Sequence, residues 1–415
     1  MAWNAFSITY NLYVHSLGFG QDFIGLLNGL PSLVILAVGL PIGVAADRYG
    51  YLRFLTAGSF ITAAAALGTG LVSSGPSLLA FAVLGGLGSS LTWVIGSPML
   101  MAVSTPKERV VLFSVQAALM MGAGCVGSLM AGALPEAAAR AMGVPSTATE
   151  PLRLAYLVGA GFNLLAVLPI IRMTPVRGNG RPERPWRASL PSSRSEALLF
   201  LKLLGPSALI SFGAGAMVVF FQLFFNLRFG LAPGRIGPLF AVSAVVTGAA
   251  TLVSPVLARR LGKVRSIVYT QLASIPFLLI LAYSYWLPAV EAAYLVRNAL
   301  MNMSSPLQQT FALEQVEEGQ RATLTSLNAM LGNLGRGGLG PIVSGYLQIR
   351  SGFTLAFTMT TVCYVVATVL FFWFFRDAEP APRSLRLGPA RGRGRFGPEA
   401  VARGGGTEER TDGVE

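Results

Sequence analysis

The sequence predicts an all-α membrane protein with twelve transmembrane helices in two pseudo-symmetric six-helix bundles. Three observations predict it. The chain is 53% hydrophobic and only 12% charged, with a mean hydropathy of +0.61, whereas soluble domains carry about 25% charged residues. Apolar runs of about 18 residues or more recur along it, each long enough to cross a ~30 Å hydrocarbon layer as a helix. A lipid-facing backbone must satisfy its own hydrogen bonds, which a helix does and an open strand does not. Finally, the two halves of the chain match each other at a fixed offset.

In chain order the spans fall at about 2–17, 23–45, 54–72, 77–102, 111–133, 152–172, 203–227, 235–257, 265–284, 287–312, 322–347 and 353–375. The first reaches only about 24 Å at ~1.5 Å per residue, so the natural helix 1 is expected to begin upstream of Met1. "MAWNAFSITYNLYVHS" has neither the positive lead nor the small-residue cleavage site of a signal peptide. The polar, Pro- and Arg-rich segment 173–202 separates six spans from six. The organisation expected is therefore a first bundle at 1–172, a basic cytoplasmic linker at 173–202, a second bundle at 203–376 and a disordered tail at 377–415.

The net charge of +13 raises a nucleic-acid reading that its distribution argues against. With the loop after helix 2 placed in the cytoplasm, sixteen Lys and Arg fall in cytoplasmic loops. Only five, Arg140, Arg153, Arg228, Arg235 and Arg350, fall on the other side. That is the excess the positive-inside rule expects, and it predicts a multi-pass plasma-membrane protein with both termini cytoplasmic. The tail motif "RGRGRFG" reads either as a contact for RNA or anionic headgroups or, the reading adopted, as part of a solvated topology-setting tail. Cys125 and Cys363 lie in predicted spans without metal-ligand spacing. The expected partners are the bilayer and a small-molecule substrate, with no nucleic acid, no cofactor and a monomeric state.

A shift of 212 residues brings "ADRYGYLR" (46–53) onto "ARRLGKVR" (258–265), and "ERVVLFSVQAALM" (108–120) onto "QRATLTSLNAMLG" (320–332). A shift of 208 pairs Ser97-Pro98 with Ser305-Pro306. Two parallel six-helix repeats put a substrate site near the midplane between them, and rocking of the halves alternates access to it.

Two such halves, a basic central loop and "GVAADRYGYLR" after helix 2 resemble the major facilitator superfamily. The family's motif in this loop reads Gly-x-x-x-Asp-Arg-x-Gly followed by two basic residues. Gly43, Asp47, Arg48 and Gly50 match it, Tyr51 and Leu52 replace the basic pair, and Arg53 arrives one place late. Residues 297–347 are also similar to helices 10 and 11 of many bacterial members. The resemblance covers about residues 1–376 and implies a conformational latch. Gly43 would allow close helix approach, and Asp47 would accept from the start of helix 11 near Arg321–Thr323. Arg48 and Arg53 would pair with Glu314, Glu317 or Glu318. A topology-setting turn without a latch is the alternative.

The resemblance also implies that helices 1, 4, 7 and 10 line the cavity, and these helices carry polar residues at helical spacing. Helix 1 has Asn4, Ser7, Asn11 and His15; helix 4 has Ser89 or Ser90, Trp93 and Ser97. Helix 7 has Ser211, Gln222 and Asn226; helix 10 has Asn298, Asn302, Ser305 and Gln309, with Arg297 beside them. Each also reads as interhelical glue, and Trp93 reads equally as packing or as a stacking platform.

Arg297 and Arg336 fall near the centres of predicted spans, where an unpaired charge costs at least ~2.5 kcal/mol. None of the 18 Asp and Glu lies mid-span. A guanidinium forks onto carboxylate or phosphate, so Arg297 is read as a contact for a substrate anion. Arg336 either bonds backbone carbonyls at the Gly-rich break "GNLGRGGLGP" or joins it. Proton coupling would have to use His15, Glu291 or the substrate itself. Helix 5 lacks the Gly-Pro pair of antiporter-type members, so antiport is not established.

No phosphate loop, metal cluster or paired carboxylates point to an enzyme. The function expected is a secondary transporter of a small organic solute, with an anion or carboxylate favoured by the arginines. A multidrug or amphipathic-compound exporter and a non-transporting membrane sensor are the alternatives.

Overall fold

The computed structural model describes residues 2–102, 104–173 and 193–378. Most of the linker and of the Arg-rich tail fall outside the described residues. Among the described residues every regular element is a helix. The first half holds α1 (Ala2–Ser16), α2 (Gln21–Tyr49), α3 (Tyr51–Leu71), α4 (Gly75–Ala102), α5 (Pro106–Met142) and α6 (Thr149–Ile171). The second holds α7 (Arg194–Val218), α8 (Phe221–Phe229), α9 (Pro233–Leu261), α10 (Lys263–Tyr283), α11 (Leu287–Glu314), α12 (Arg321–Gly332) and α13 (Gly340–Phe375). A π-helical segment, Asn333–Leu339, joins α12 to α13.

Nine stretches among the described residues are long and apolar enough to cross a membrane. One of them, Thr323–Phe375, is two crossings divided at Gly352, whose φ of 63° breaks the helix. With the 15-residue α1 and the polar-striped α11 added, the helices are consistent with twelve crossings. α7 and α8 together make one interrupted span.

The repeat shows in the element bounds. α2, α3 and α4 recur as α9, α10 and α11 with every first and last residue 212 positions on. The turn inside the repeat is the same twice over. Gly50 (φ 99°) and Gly262 (φ 85°) lie between consecutive helices, and their N–H groups donate to Ala46 and Ala258, each at 2.9 Å. Such a φ is accessible to glycine and strained for other residues, so Gly50 belongs to the turn that joins α2 to α3. The same register corrects the pairing of Ser97-Pro98 with Ser305-Pro306. Because α4 and α11 align at 212, the dipeptides stand one helical turn apart and are not equivalent positions.

α7 begins at Arg194, inside the segment expected as linker. Ser193 caps it, its Oγ accepting from the Glu196 N–H at 3.2 Å, and N-capping extends a helix past its apolar span into water. α5 likewise starts before its apolar stretch, on a capping box of Thr105 and Glu108.

Within the halves, α4 packs on α2 and α3 as α11 packs on α9 and α10. The second half has an aromatic core in which Phe221 meets Tyr294 edge-on at 4.7 Å and Phe224 meets Phe357 at 4.9 Å. Between the halves, α2 packs on α13 and the π segment, α5 on α9, and α1 on α8. Close approaches run from the end that carries Gln21 and Pro233 to mid-span, where Gly337 abuts Ser32. A Cβ on Gly25 would stand 2.4 Å from the Pro341 carbonyl oxygen, and one on Gly345 2.3 Å from that of Gln21. Gly132 and Gly237 meet backbone to backbone, 2.8 Å from Cβ position to Cα. Small residues permit such approaches in a membrane.

Candidate functional site: an inter-half vestibule closed at one end

Several residues expected to line a cavity belong instead to the sealed end. Asn11 is buried, and its Nδ2 donates across the halves to the Val219 carbonyl at 2.7 Å. Asn28, which sequence reasoning missed, donates to Asn11 Oδ1 at 2.8 Å. Gln222 is buried two residues before Phe224 of the aromatic core. Asn226 ties off α8, donating to the Leu231 carbonyl at 2.9 Å. Glu136 on α5 accepts from the Gly234 N–H in the first turn of α9 at 3.3 Å, where a helix N-terminus favours a negative charge. His15 lies at this end too, its Nδ1 3.3 Å from the Phe19 carbonyl oxygen. The side chain of Asn4 lies outside the described residues.

Beyond the seal, toward the end that carries Gly50, polar residues lose protein cover. α4 turns Leu91 onto α3 at Gly58 and Val94 onto α2 at Gly39 and Gly43. By helical geometry Trp93 faces away from α3, and it is 62% exposed. α11 buries Tyr294, Arg297, Ser304, Leu307 and Phe311 and leaves Asn302, Ser305 and Gln309 exposed on its other face. Asn302 donates to the Asn298 carbonyl at 2.8 Å, which holds it along its own helix.

The two arginines part company. Arg297 is 2% exposed. Its Nη2 donates to the Tyr364 hydroxyl at 2.7 Å and its Nη1 to Asn298 Oδ1 at 2.9 Å, while the guanidinium lies 5.4 Å from the Tyr364 ring centroid. Asn298 in turn donates to Ser243 on α9 at 3.0 Å. The cluster knits α9, α11 and α13 together, and Arg297 faces into the second half rather than the opening. Its Nε–H has no partner among the described residues.

Arg336 is the exposed one. It sits in the π-helical segment, between Gly335, which abuts Ser211 and Phe212 of α7, and Gly337, which abuts Ser32 of α2. Its side chain has no hydrogen-bond or ion-pair partner among the described residues. It lies about 22 Å along the helix from Arg321, near mid-span. A guanidinium is costly in hydrocarbon at that depth, so an exposed Arg336 calls for water or an anion beside it. π-bulges of this kind recur at functional sites because they re-aim side chains.

Among the described residues, the two latch arginines form no ion pair. Gly43 has ordinary space among the described residues, since a Cβ there would lie 3.6 Å from Val94. Arg48 is exposed, 5.5 Å from the ring centroid of its neighbour Tyr49, and Arg53 is exposed. The Asp47 side chain lies outside the described residues. Glu314, expected as a partner for these arginines, pairs with Lys263. That lysine opens α10, in the same half as Glu314 at the end of α11.

The sequence model of the Major Facilitator Superfamily matches residues 1–338. Comparison with curated proteins returns no match. Among solved structures, the chain is similar to a bacterial homologue of the human lysosomal transporter Spinster, in an inward-facing and occupied conformation. That pair shares 18% identity over 90% of this chain and 95% of the other, with a TM-score of 0.71. The nucleoside transporter NupG aligns at 16% identity over 90% and 95%, with a TM-score of 0.68. A bacterial homologue of the iron transporter ferroportin, inward-facing, aligns at 15% over 90% and 96%, with a TM-score of 0.69. At these identities the likeness is one of fold.

Proposed function

The chain belongs to the Major Facilitator Superfamily, and we propose that it carries a small organic anion across the plasma membrane by alternating access, with Arg336 as the anion contact. The observation that carries this reading is the exposed guanidinium at mid-span on a helix between the two halves, without a partner among the described residues. Carboxylates are the natural ligand of such a fork. Asn302, Ser305 and Gln309 add hydrogen-bonding groups on α11, while Trp93 stands on the helix of the other half. The sixteen-to-five distribution of Lys and Arg supports a cytoplasmic position for the open end and for both termini. On that orientation the conformation is inward-facing. The binding energy sought from sequence at Arg297 is assigned to Arg336, because Arg297 already spends two of its donor nitrogens on Tyr364 and Asn298.

The test is binding to purified protein, read by thermal shift, with a panel of small carboxylates and their neutral amides. Carboxylates should stabilise the wild type and amides should not. Arg336→Lys, which keeps the charge and loses the fork, should weaken binding about tenfold, and Arg336→Gln by a further factor of about ten, since each tenfold step is 1.4 kcal/mol. Equal binding of acids and amides, or unchanged acid binding by Arg336→Gln, would overturn the reading.

A further inference from the structure

The anion site has a second wall, and its chemistry narrows the solute. Trp93 is 62% exposed, although α4 packs on both α2 and α3. It lies nine residues before the end of α4 at Ala102, about 14 Å in along the helix; Asn302 lies about 18 Å from the end of α11 at Glu314, and Arg336 about 22 Å from Arg321. The three therefore stand at neighbouring depths, Trp93 on one half and Asn302 and Arg336 on the other. An indole offers a flat apolar face and a π surface, and aromatic rings pair with it in offset or edge-on arrangements beyond what area burial alone supplies. An exposed indole on one half, at a depth close to that of an exposed guanidinium on the other, offers the two ends of a bipartite site.

We propose that the transported solute is an aromatic carboxylate: Arg336 takes the carboxylate and Trp93 stacks on the ring. This rests on the anion reading of Arg336 and goes beyond it, because a carboxylate site needs no ring. It also gives each half one end of the solute. A ligand that touches both halves is the kind whose binding favours states in which they approach, and such differential contact is what lets a ligand shift a conformational equilibrium.

The experiment compares radiolabelled phenylacetate with cyclohexylacetate, two acids of similar size that differ in the π face. Purified wild type, Trp93→Leu, Trp93→Phe and Arg336→Gln are measured side by side. Wild type should bind phenylacetate about tenfold more tightly than cyclohexylacetate. Trp93→Leu should bring the two acids within about twofold, and Trp93→Phe should restore most of the preference. Arg336→Gln should weaken both acids alike. Equal affinities in wild type, or no measurable phenylacetate binding, would overturn the aromatic assignment while Arg336-dependent binding of other carboxylates left the anion reading standing. Loss of both acids equally in Trp93→Leu and Trp93→Phe would also overturn it, and would make Trp93 a packing surface for the closing of the open end. Undiminished binding of both acids in Arg336→Gln would instead remove the anion reading on which it rests.

Discussion

The two ends of the seam between the halves are built from different materials. At the closed end the contact is backbone on backbone: Gly25 on Pro341, Gly345 on Gln21, Gly132 on Gly237, with Asn11 and Glu136 each crossing to a main-chain group. At the open end the surfaces carry Arg48, Arg53, Asn302, Gln309 and Arg336, all exposed. Glycine faces fit without interlocking side chains, so they can separate and reseat as rigid bodies. Charged faces can close only by pairing, which makes that end conditional on what it pairs with. With the latch expected from the sequence, the difference gives alternation a physical basis, one end held by shape and the other by charge.

The comparison is broken most severely by filling the shape-held end. Gly25→Leu places a side chain where even a Cβ would collide with the Pro341 carbonyl oxygen. Overpacking costs about 1–3 kcal/mol, and here it is relieved by parting the halves. Flux in proteoliposomes should fall about a hundredfold while helix content by circular dichroism is retained. Wild-type flux would show that the closed end is not needed.

The two arginines sharpen it next. Arg297→Ala leaves the Tyr364 hydroxyl and the Asn298 amide without their donor and opens a cavity, a loss of about 2–4 kcal/mol, so the melting temperature should drop by several degrees. Arg336→Ala should melt with the wild type and lose anion binding. Exchange of these phenotypes between the two variants would reverse their roles.

A smaller effect is expected at the charge-held end. Asp47→Asn removes the group proposed to meet the start of α12 when that end closes, so the resting population should move further toward the open-end state, by a few-fold. Spectra unchanged between Asp47→Asn and wild type would exclude the latch. The smallest effect belongs to Glu136→Gln, which keeps an oxygen acceptor for Gly234 but loses the charge at the start of α9. A charge there is worth about 0.3–1 kcal/mol, and the shift should run the opposite way, toward parting of the closed end.

Much of this fold is written in local pattern. Apolar length placed the spans, and the 212-residue offset, seen in two short segments, holds for the bounds of three consecutive helix pairs. Side-chain direction was not legible. A polar stripe on α11 looks the same whether it faces a vestibule or a neighbour, and the partner of Arg297, Tyr364, lies 67 residues away on α13. Arg336 stood inside a glycine cluster that suggested backbone contacts. The same glycines, by packing flat on α7 and α2, leave its side chain the uncovered group. Asn11 and Gln222 fit a cavity pattern because a seal between halves is polar for the same reason a cavity is.

The most direct test measures both ends of the seam in one sample. Spin labels at Ser74 and Trp286 report the closed end, and labels at Arg172 and Arg260 the open end, by pulsed dipolar distances in lipid nanodiscs. In the resting protein the first pair should give a short, narrow distribution and the second a long one. Introducing Gly25→Leu should lengthen the first distance and shorten the second in the same molecules. Two ends that lengthen together, or an open-end distance that never changes while the closed end parts, would contradict a seam that alternates about Arg336.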